Sequence, residues 1–421
     1  MDSREADEAR AQARRISRRR FLAVGGGVVA TGAGAFLVPG CGKKDDNTLK
    51  IVSTLPRTGS AQDQTTTIVN GIRLAIDEYN NELFGQKLVH VDMDDATAAQ
   101  GQWDAGKEAD NAREAVGDKN VMVVIGPYNS GASKVSQPIL NEAGLLQISP
   151  AATWPGLTKK VPGDEKSGEP DIYRKSGKVT FCRVCPTDDM QGPKTAEFVK
   201  NVLKAKTVFV LDDKELYGAG IAKLFMEACG KLDIKVVGHE QLVKQNNYKT
   251  TLEAVKAKNP DAVYVGATSQ SGAPQIAIDM KGVGLKCPLI VPDGCYEKAF
   301  VDAAGADLFK TFDCYATIGG KDPSLLTGAG AEFVKKYKAK FGNDPEAYAV
   351  YGYEAAKVFL EAAKAVGKKD REAIREAVLK TKDFDKGAVG KWGFDENGDT
   401  TLQVLTISKV EGWPLKPVHT I

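Results

Sequence analysis

The sequence predicts an α/β protein made of two doubly wound parallel-sheet lobes, and three observations carry that prediction. From Leu49 onward short apolar runs alternate with amphipathic stretches. The alternation restarts in full near Lys206. A segment rich in Gly, Pro and charge, "KKVPGDEKSGEPDIYRKSGK", separates the two rounds. Two β-α-β-α arrays in 421 residues mean two lobes, each long enough to bury a core.

The leader comes first. "SRRRFLAVGGGVVATGAGAFLVPGC" has a charged start, a Gly-diluted apolar stretch and then Cys41. The six glycines between Gly25 and Gly40 argue against a transmembrane anchor, which wants about 20 strongly apolar residues. Ser17 to Leu22 matches the twin-arginine export pattern. "LVPGC" resembles a bacterial lipobox, so residues 1–41 read as a signal peptide ending either in lipidation of Cys41 or in plain cleavage nearby. Residues 42–48 then form a polar linker, and a lipid on Cys41 would be the only membrane attachment.

In the first round, "LKIVSTL" is followed by a helix carrying Ile72, Ala75, Ile76 and Tyr79 at helical spacing. "KLVHVDMDD", "VMVVIGP" and "LLQISP" follow as strands, with helices around "KEADNAREAV" and "SKVSQPILNEAG" between them. A short strand at 179–184 leads into the second round, "KTVFVLDD", "IKVVGHE", "DAVYVGATS" and "PLIVPDG" with their helices. Three further helices, among them "AYAVYGYEAAKVFLEAAKAVG", arrive after the second sheet. Their apolar stripes need a sheet to cover, and the first lobe is the expected host.

Composition and motifs argue against several functions. With 57 Lys+Arg against 55 Asp+Glu the net charge is +2, and no basic stripe favours nucleic acid. The first strand is not followed by G-x-G-x-x-G, and a P-loop motif is missing. "GPYNSGA" lacks the glycine that a nucleophile elbow needs two residues before its serine. His90, His239 and His419 are isolated and read as structural. Cys182 and Cys185 fall on a strand ending in proline rather than at a helix N-terminus, a poor redox pair. Neither metal-ligand spacing nor a cofactor motif appears, and an enzyme is not expected.

Doubly wound sheets bind ligands beyond the carboxyl ends of their strands. There the first half offers "GPYNSGAS" and "SPAATWPG", where Ala151 and Ala152 are small enough for an anion to approach backbone N–H groups. Ser130 and Thr153 are expected to cap following helices. The second half offers Asp293 and Tyr217. Anion donors on one wall and an acid on the other suit the carboxylate and ammonium of a free amino acid. Trp154 would either flank the cleft or pack on the lobe.

"IGPYNSGASKVSQPILNEAGLLQISPAATWPGLT", together with "PTDDMQGP", "DDKELYG" and "VPDG", resembles the leucine/isoleucine/valine-binding proteins of ABC importers, the type I periplasmic binding proteins. The resemblance runs from about Leu49 to about Asp399. It implies that Ser130, Ala151 and Thr153 hold the ligand's carboxylate and ammonium, that Asp293 takes the ammonium, and that Tyr217 closes over the ligand. Gln64 and Thr268 stand where branched-chain binders carry tyrosines, Tyr348 keeps an aromatic position and Tyr128 enlarges an aliphatic one. These departures make the side-chain pocket more polar.

The implied organisation is a first lobe of 49–183 with 318–391 and a second of 184–317 with 392–421, joined by a multi-strand hinge. The implied function is an extracytoplasmic, membrane-anchored monomer, periplasmic or on the cell surface, that captures a branched-chain or other apolar amino acid for an ABC permease and its ATPase. The alternative is a ligand-sensing receptor component for amino acids, amides or small organic acids. The loop at 159–178 is longer than the family usually shows, a surface elaboration or a partner contact.

Overall fold

Runs such as "VMVVI", "AVYVG" and "LIV" leave no exposed position along their length, the burial pattern of parallel strands covered on both faces. The computed structural model describes residues 47–421. The predicted signal peptide, its arginine pair, Cys41 and linker residues 42–46 lie outside the described residues.

The first round comprises β1 (Thr48–Leu55), α1 (Gln62–Asp77), β2 (Glu82–Leu83), β3 (Gln86–Asp94), β4 (Ala96–Thr97), β5 (Gln102–Trp103), α2 (Ala105–Gly117), β6 (Val121–Ile125), α3 (Ser130–Glu142), β7 (Leu146–Ser149) and β8 (Phe181–Arg183). Its sheet has the order β2-β3-β1-β6-β7-β8, parallel except for the two-residue edge strand β2. The second round follows as α4 (Asp188–Asn201), β9 (Thr207–Asp212), α5 (Leu216–Lys231), β10 (Lys235–Gln241), α6 (Lys249–Ala257), β11 (Ala262–Gly266), α7 (Ala273–Gly282), β12 (Leu289–Val291), α8 (Lys298–Ala304) and β13 (Cys314–Gly319). The chain then forms α9 (Ala329–Phe341), α10 (Ala349–Val366) and α11 (Arg371–Leu379) before ending in β14 (Leu405–Lys409) and β15 (Lys416–Thr420). The second sheet has the order β10-β9-β11-β12-β13-β14-β15.

The last two strands run antiparallel, which the parallel expectation did not include. A strand added at an edge by a chain returning from elsewhere needs no helical crossover, so either direction serves.

The late helices dock on the first sheet. Helix α10 lies along α1, and two glycines allow it: a side chain on Gly71 would collide with the Ala349 carbonyl, and one on Gly352 with that of Ile68. Helix α11 packs on α10 and β6. The backbone therefore passes between the two sheets after β8, after β13 and before β14.

The six cysteines among the described residues are free thiols. Burial pushes the Cys182 and Cys185 thiols up, so neither is poised for redox work. Among the described residues no helix is long and apolar enough to cross a membrane, and no cluster of His, Cys, Asp and Glu could hold a metal ion.

Candidate functional site

The carboxyl ends of β6 and β7 in one sheet and of β9, β11 and β12 in the other converge on a cavity. Tyr128, Ser130 and Ala151 line it from the first sheet, Tyr217, Thr268 and Asp293 from the second, and Tyr348 from the start of α10. Asn129 and Gly294, which the sequence reading did not single out, complete the lining.

Asp293 is the centre of the second wall. It lies two residues past the end of β12 and is only 3% exposed. Its Oδ1 accepts hydrogen bonds from the Tyr217 hydroxyl at 2.5 Å and from Gln191 Nε2 at 2.7 Å, while Oδ2 accepts from the Tyr348 hydroxyl. Burial raises its pKa, against the pull of these three donors. The cage is itself held: Tyr217 Oη accepts from Gly294 N at 3.0 Å, and Gln191 Oε1 accepts from the Thr317 hydroxyl at 2.7 Å.

A second acid was missed. Asp188, the first residue of α4, is fully buried, with Oδ1 3.4 Å from Gln191 Nε2 and Oδ2 without a hydrogen-bond partner. Burial first and then the charge of Asp293 hold its pKa well above the carboxylate range. One amide thus lies between two acids, a place where a cation would be welcome. "PTDDMQGP" contained the signal, but an aspartate opening a helix is an ordinary sight.

The first wall differs from expectation in its donors. Ser149 Oγ accepts from Ala152 N at 2.8 Å and Ala151 N at 3.2 Å, so these two amides are already engaged. Ser130 is not a cap: it is the first residue of α3, after Asn129, and its Oγ accepts from Trp154 N at 3.2 Å. Thr153 does not cap either, because Trp154 intervenes before a turn of only three residues, Pro155–Leu157. Its buried hydroxyl makes no hydrogen bond, and Thr153 is not part of the lining. What remains for an anion is the first turn of the 13-residue α3, whose leading N–H groups have no intrahelical partner.

Gln64 also stands outside the lining. Its Nε2 donates to the Tyr296 carbonyl at 3.4 Å, linking α1 to the loop after β12. Thr268 lines the cavity, but its hydroxyl shares a 2.6 Å hydrogen bond with Ser271.

The loop "SPAATWPGLT" is shaped from behind by Arg183, which is fully buried and bonds Asp399 Oδ1 at 2.7 Å, the Ala152 carbonyl at 2.9 Å and the Trp154 carbonyl at 2.7 Å. Trp154 packs rather than flanks. Its indole lies where any side chain on Gly220 of α5 would be, and its Nε1 donates to Glu169 at 2.7 Å. Glu169 and Tyr173, joined by a 2.5 Å hydrogen bond, bring the 159–178 loop into the same buried cluster.

A sequence profile of the family described as periplasmic binding protein matches residues 48–412. The chain is similar to a Leu/Ile/Val-binding protein, BraC3, of Rhizobium johnstonii, at 28% identity over 364 residues, covering 85% of this chain and 90% of that protein. Among solved structures it resembles the branched-chain amino acid transporter substrate-binding protein LivJ of Streptococcus pneumoniae in complex with isoleucine, with a TM-score of 0.74 and 25% identity over 88% of this chain and 99% of that one. A solute-binding protein of an ABC transporter from R. palustris, in complex with benzoate, shares the fold at a TM-score of 0.72 and 20% identity, over 89% of this chain and 96% of that one. Two sheets whose strand ends converge on one cavity, and a profile match that runs through both of them, make this chain a member of the periplasmic binding protein family.

Proposed function

We propose that the protein is the extracytoplasmic, substrate-binding component of an ABC importer and that its ligand is an amino acid. The observation that carries this reading is Asp293, a buried acid opposite the N-terminus of α3 across one cavity. The ammonium of a zwitterion would sit at Asp293, and its carboxylate at the first turn of α3 beside Ser130. Ala151 lines the wall without donating, and Thr153 supports the loop from outside it. The two lobes are 49–183 with 318–391 and 184–317 with 392–421, closing on a hinge at the three interlobe passages. The protein works as a monomer beside its permease and ATPase.

Ligand that binds only the closed native form must stabilise it. A screen of the standard amino acids is expected to find at least one that raises the melting temperature by several degrees and lowers the radius of gyration in solution scattering. Benzoate belongs in the same screen: a shift with benzoate and with none of the amino acids would replace the amino-acid reading by an aromatic-acid one.

Export by the twin-arginine route and lipid attachment at Cys41 complete the proposal, resting on "SRRRFL" and "LVPGC". Cys41→Ser is expected to move the protein from the membrane fraction to the soluble one. An unchanged membrane fraction would end the lipoprotein reading.

A further inference from the structure

The loop at 159–178 stays clear of the cavity, yet it devotes a buried acid to one side chain of the cavity wall's own loop. Glu169 accepts from Trp154 Nε1 at 2.7 Å and from the Tyr173 hydroxyl at 2.5 Å, and Lys134 Nζ of α3 lies 3.6 Å from it. A side chain on Gly156 would land on the same carboxylate, so the turn after Trp154 closes tightly over it. These contacts fix the direction of the indole.

The indole points away from its own sheet, at α5, which packs on β9, β10 and β11 of the other one. In α5, Leu216, Gly220 and Leu224 recur every four residues and so share one face. Both leucines pack in the apolar cluster that holds Trp154, Leu157, Val161 and Tyr173. Between them Gly220 leaves a notch, and a Cβ placed there would collide with Cε3 and Cζ3 of the indole. A ring from the β7–β8 connection thus fills a gap in a helix of the second sheet. Beside it Lys159 Nζ reaches Asp189 Oδ2 of α4 at 2.8 Å, a second contact across the same seam.

The notch is one step removed from the ligand. Trp154 comes three residues after Ala151, and Gly220 three residues after Tyr217 on α5. Ala151 and Tyr217 belong to opposite walls of the cavity. A movement that parts those walls far enough to admit a ligand therefore also draws the indole out of its notch. We infer that Trp154, aimed by the 159–178 loop, is a latch that seats in the Gly220 notch when the lobes close and strengthens binding without touching the ligand. Closure covers the Leu216–Gly220–Leu224 face, and this apolar burial adds to the ligand's own contacts in favouring the closed form. The inference rests on the clamp reading above and holds for an amino acid and for benzoate alike.

Gly220→Ala tests it from the side of the notch. In a permanently packed interface the added methyl would collide in every state, whereas in a latch it collides only on closure. Ligand-free Gly220→Ala is therefore expected to melt no lower than wild type, alanine being the better helix former. Its affinity should fall by about ten- to a hundredfold, the range that overpacking a well-filled site costs. Titration calorimetry with each standard L-amino acid and with benzoate reads this, variant against wild type on every probe that wild type binds. In a Trp154→Leu background, where the ring that the methyl strikes is gone, the same substitution should cost less than about threefold. Unchanged affinity in Gly220→Ala, or a ligand-free melting temperature several degrees lower, would make the contact permanent packing and overturn the inference. A full loss that persists in the Trp154→Leu background would overturn it too, by tracing the effect to a displaced Tyr217. Wild type that binds none of the probes, or binds one without contracting in solution scattering, would instead remove the clamp reading beneath it.

Discussion

Arg183→Met is expected to destabilise the protein by about 3–5 kcal/mol, the usual cost of leaving a buried charge without its partner. The guanidinium is fully buried, and Asp399 would keep Lys159, whose Nζ lies 3.3 Å away and is partly exposed, and the Thr158 hydroxyl. The carbonyls of Ala152 and Trp154 would each lose the guanidinium as a donor as well. Denaturant midpoints at constant m-value measure the loss. The double variant Arg183→Met with Asp399→Leu should be less destabilised than the sum of its singles, because no charge remains to be buried.

Acid pH gives the same prediction a second handle. Burial alone would raise the Asp399 pKa, but Arg183, Lys159 and the Thr158 hydroxyl together hold it below the usual carboxylate range. A depressed folded value means that its contribution is complete above the unfolded pKa of about 3.9 and is lost as pH falls through the folded one. Without Arg183 the burial effect dominates and Asp399 prefers its proton. The stability gap between wild type and Arg183→Met should then narrow as pH is lowered from 7 toward 4. A gap that stays constant over that range would mean the arginine acts by packing alone.

Arg183 also illustrates where reading the sequence stops. Strand periodicity, the restart of the pattern and the apolar stripes of the late helices are local signals, so the parallel strands of both sheets and the late helices were legible, whereas α4, α8 and the antiparallel β14 and β15 were not. Strand ends and the family resemblance together named nine candidate ligand residues, seven of which line the cavity. What failed was the direction of individual hydrogen bonds. Ser149 was read as the last residue of a strand, yet its hydroxyl takes the two amides that Ala151 and Ala152 seemed to offer. Thr153 sits before a proline-started turn, as a cap should, but one residue too early. Asp188 lies 105 residues from Asp293 in sequence, and only the fold brings both to one glutamine. Such facts depend on pairs of loops from different strands, which no spacing along the chain records.

Asp293→Ala is expected to cost about 2–5 kcal/mol in ligand binding, at least about thirtyfold in affinity, because the ligand's ammonium would be buried without its counter-charge. Asp293→Asn keeps the shape and one acceptor but should lose most of the same energy, which separates charge from fit. The scaffold should persist in both variants, since Tyr217 still accepts from Gly294 N and Gln191 still accepts from Thr317. Ser130→Ala should cost less, about 1–2 kcal/mol, as the first-turn amides of α3 still hold the carboxylate. The raised pKa of Asp293 adds a sign: the ammonium must be met by the ionised form, so wild-type affinity should fall as pH is lowered through that value. Asp188 is held neutral by burial and by the charge of Asp293, so its neutral isostere Asp188→Asn should leave this fall nearly where it is. Titration calorimetry of the four variants and wild type with the tightest amino acid decides the matter. Near-normal, pH-independent binding in Asp293→Ala would take the ammonium site out of the second lobe and leave the cavity an anion pocket served by α3 alone.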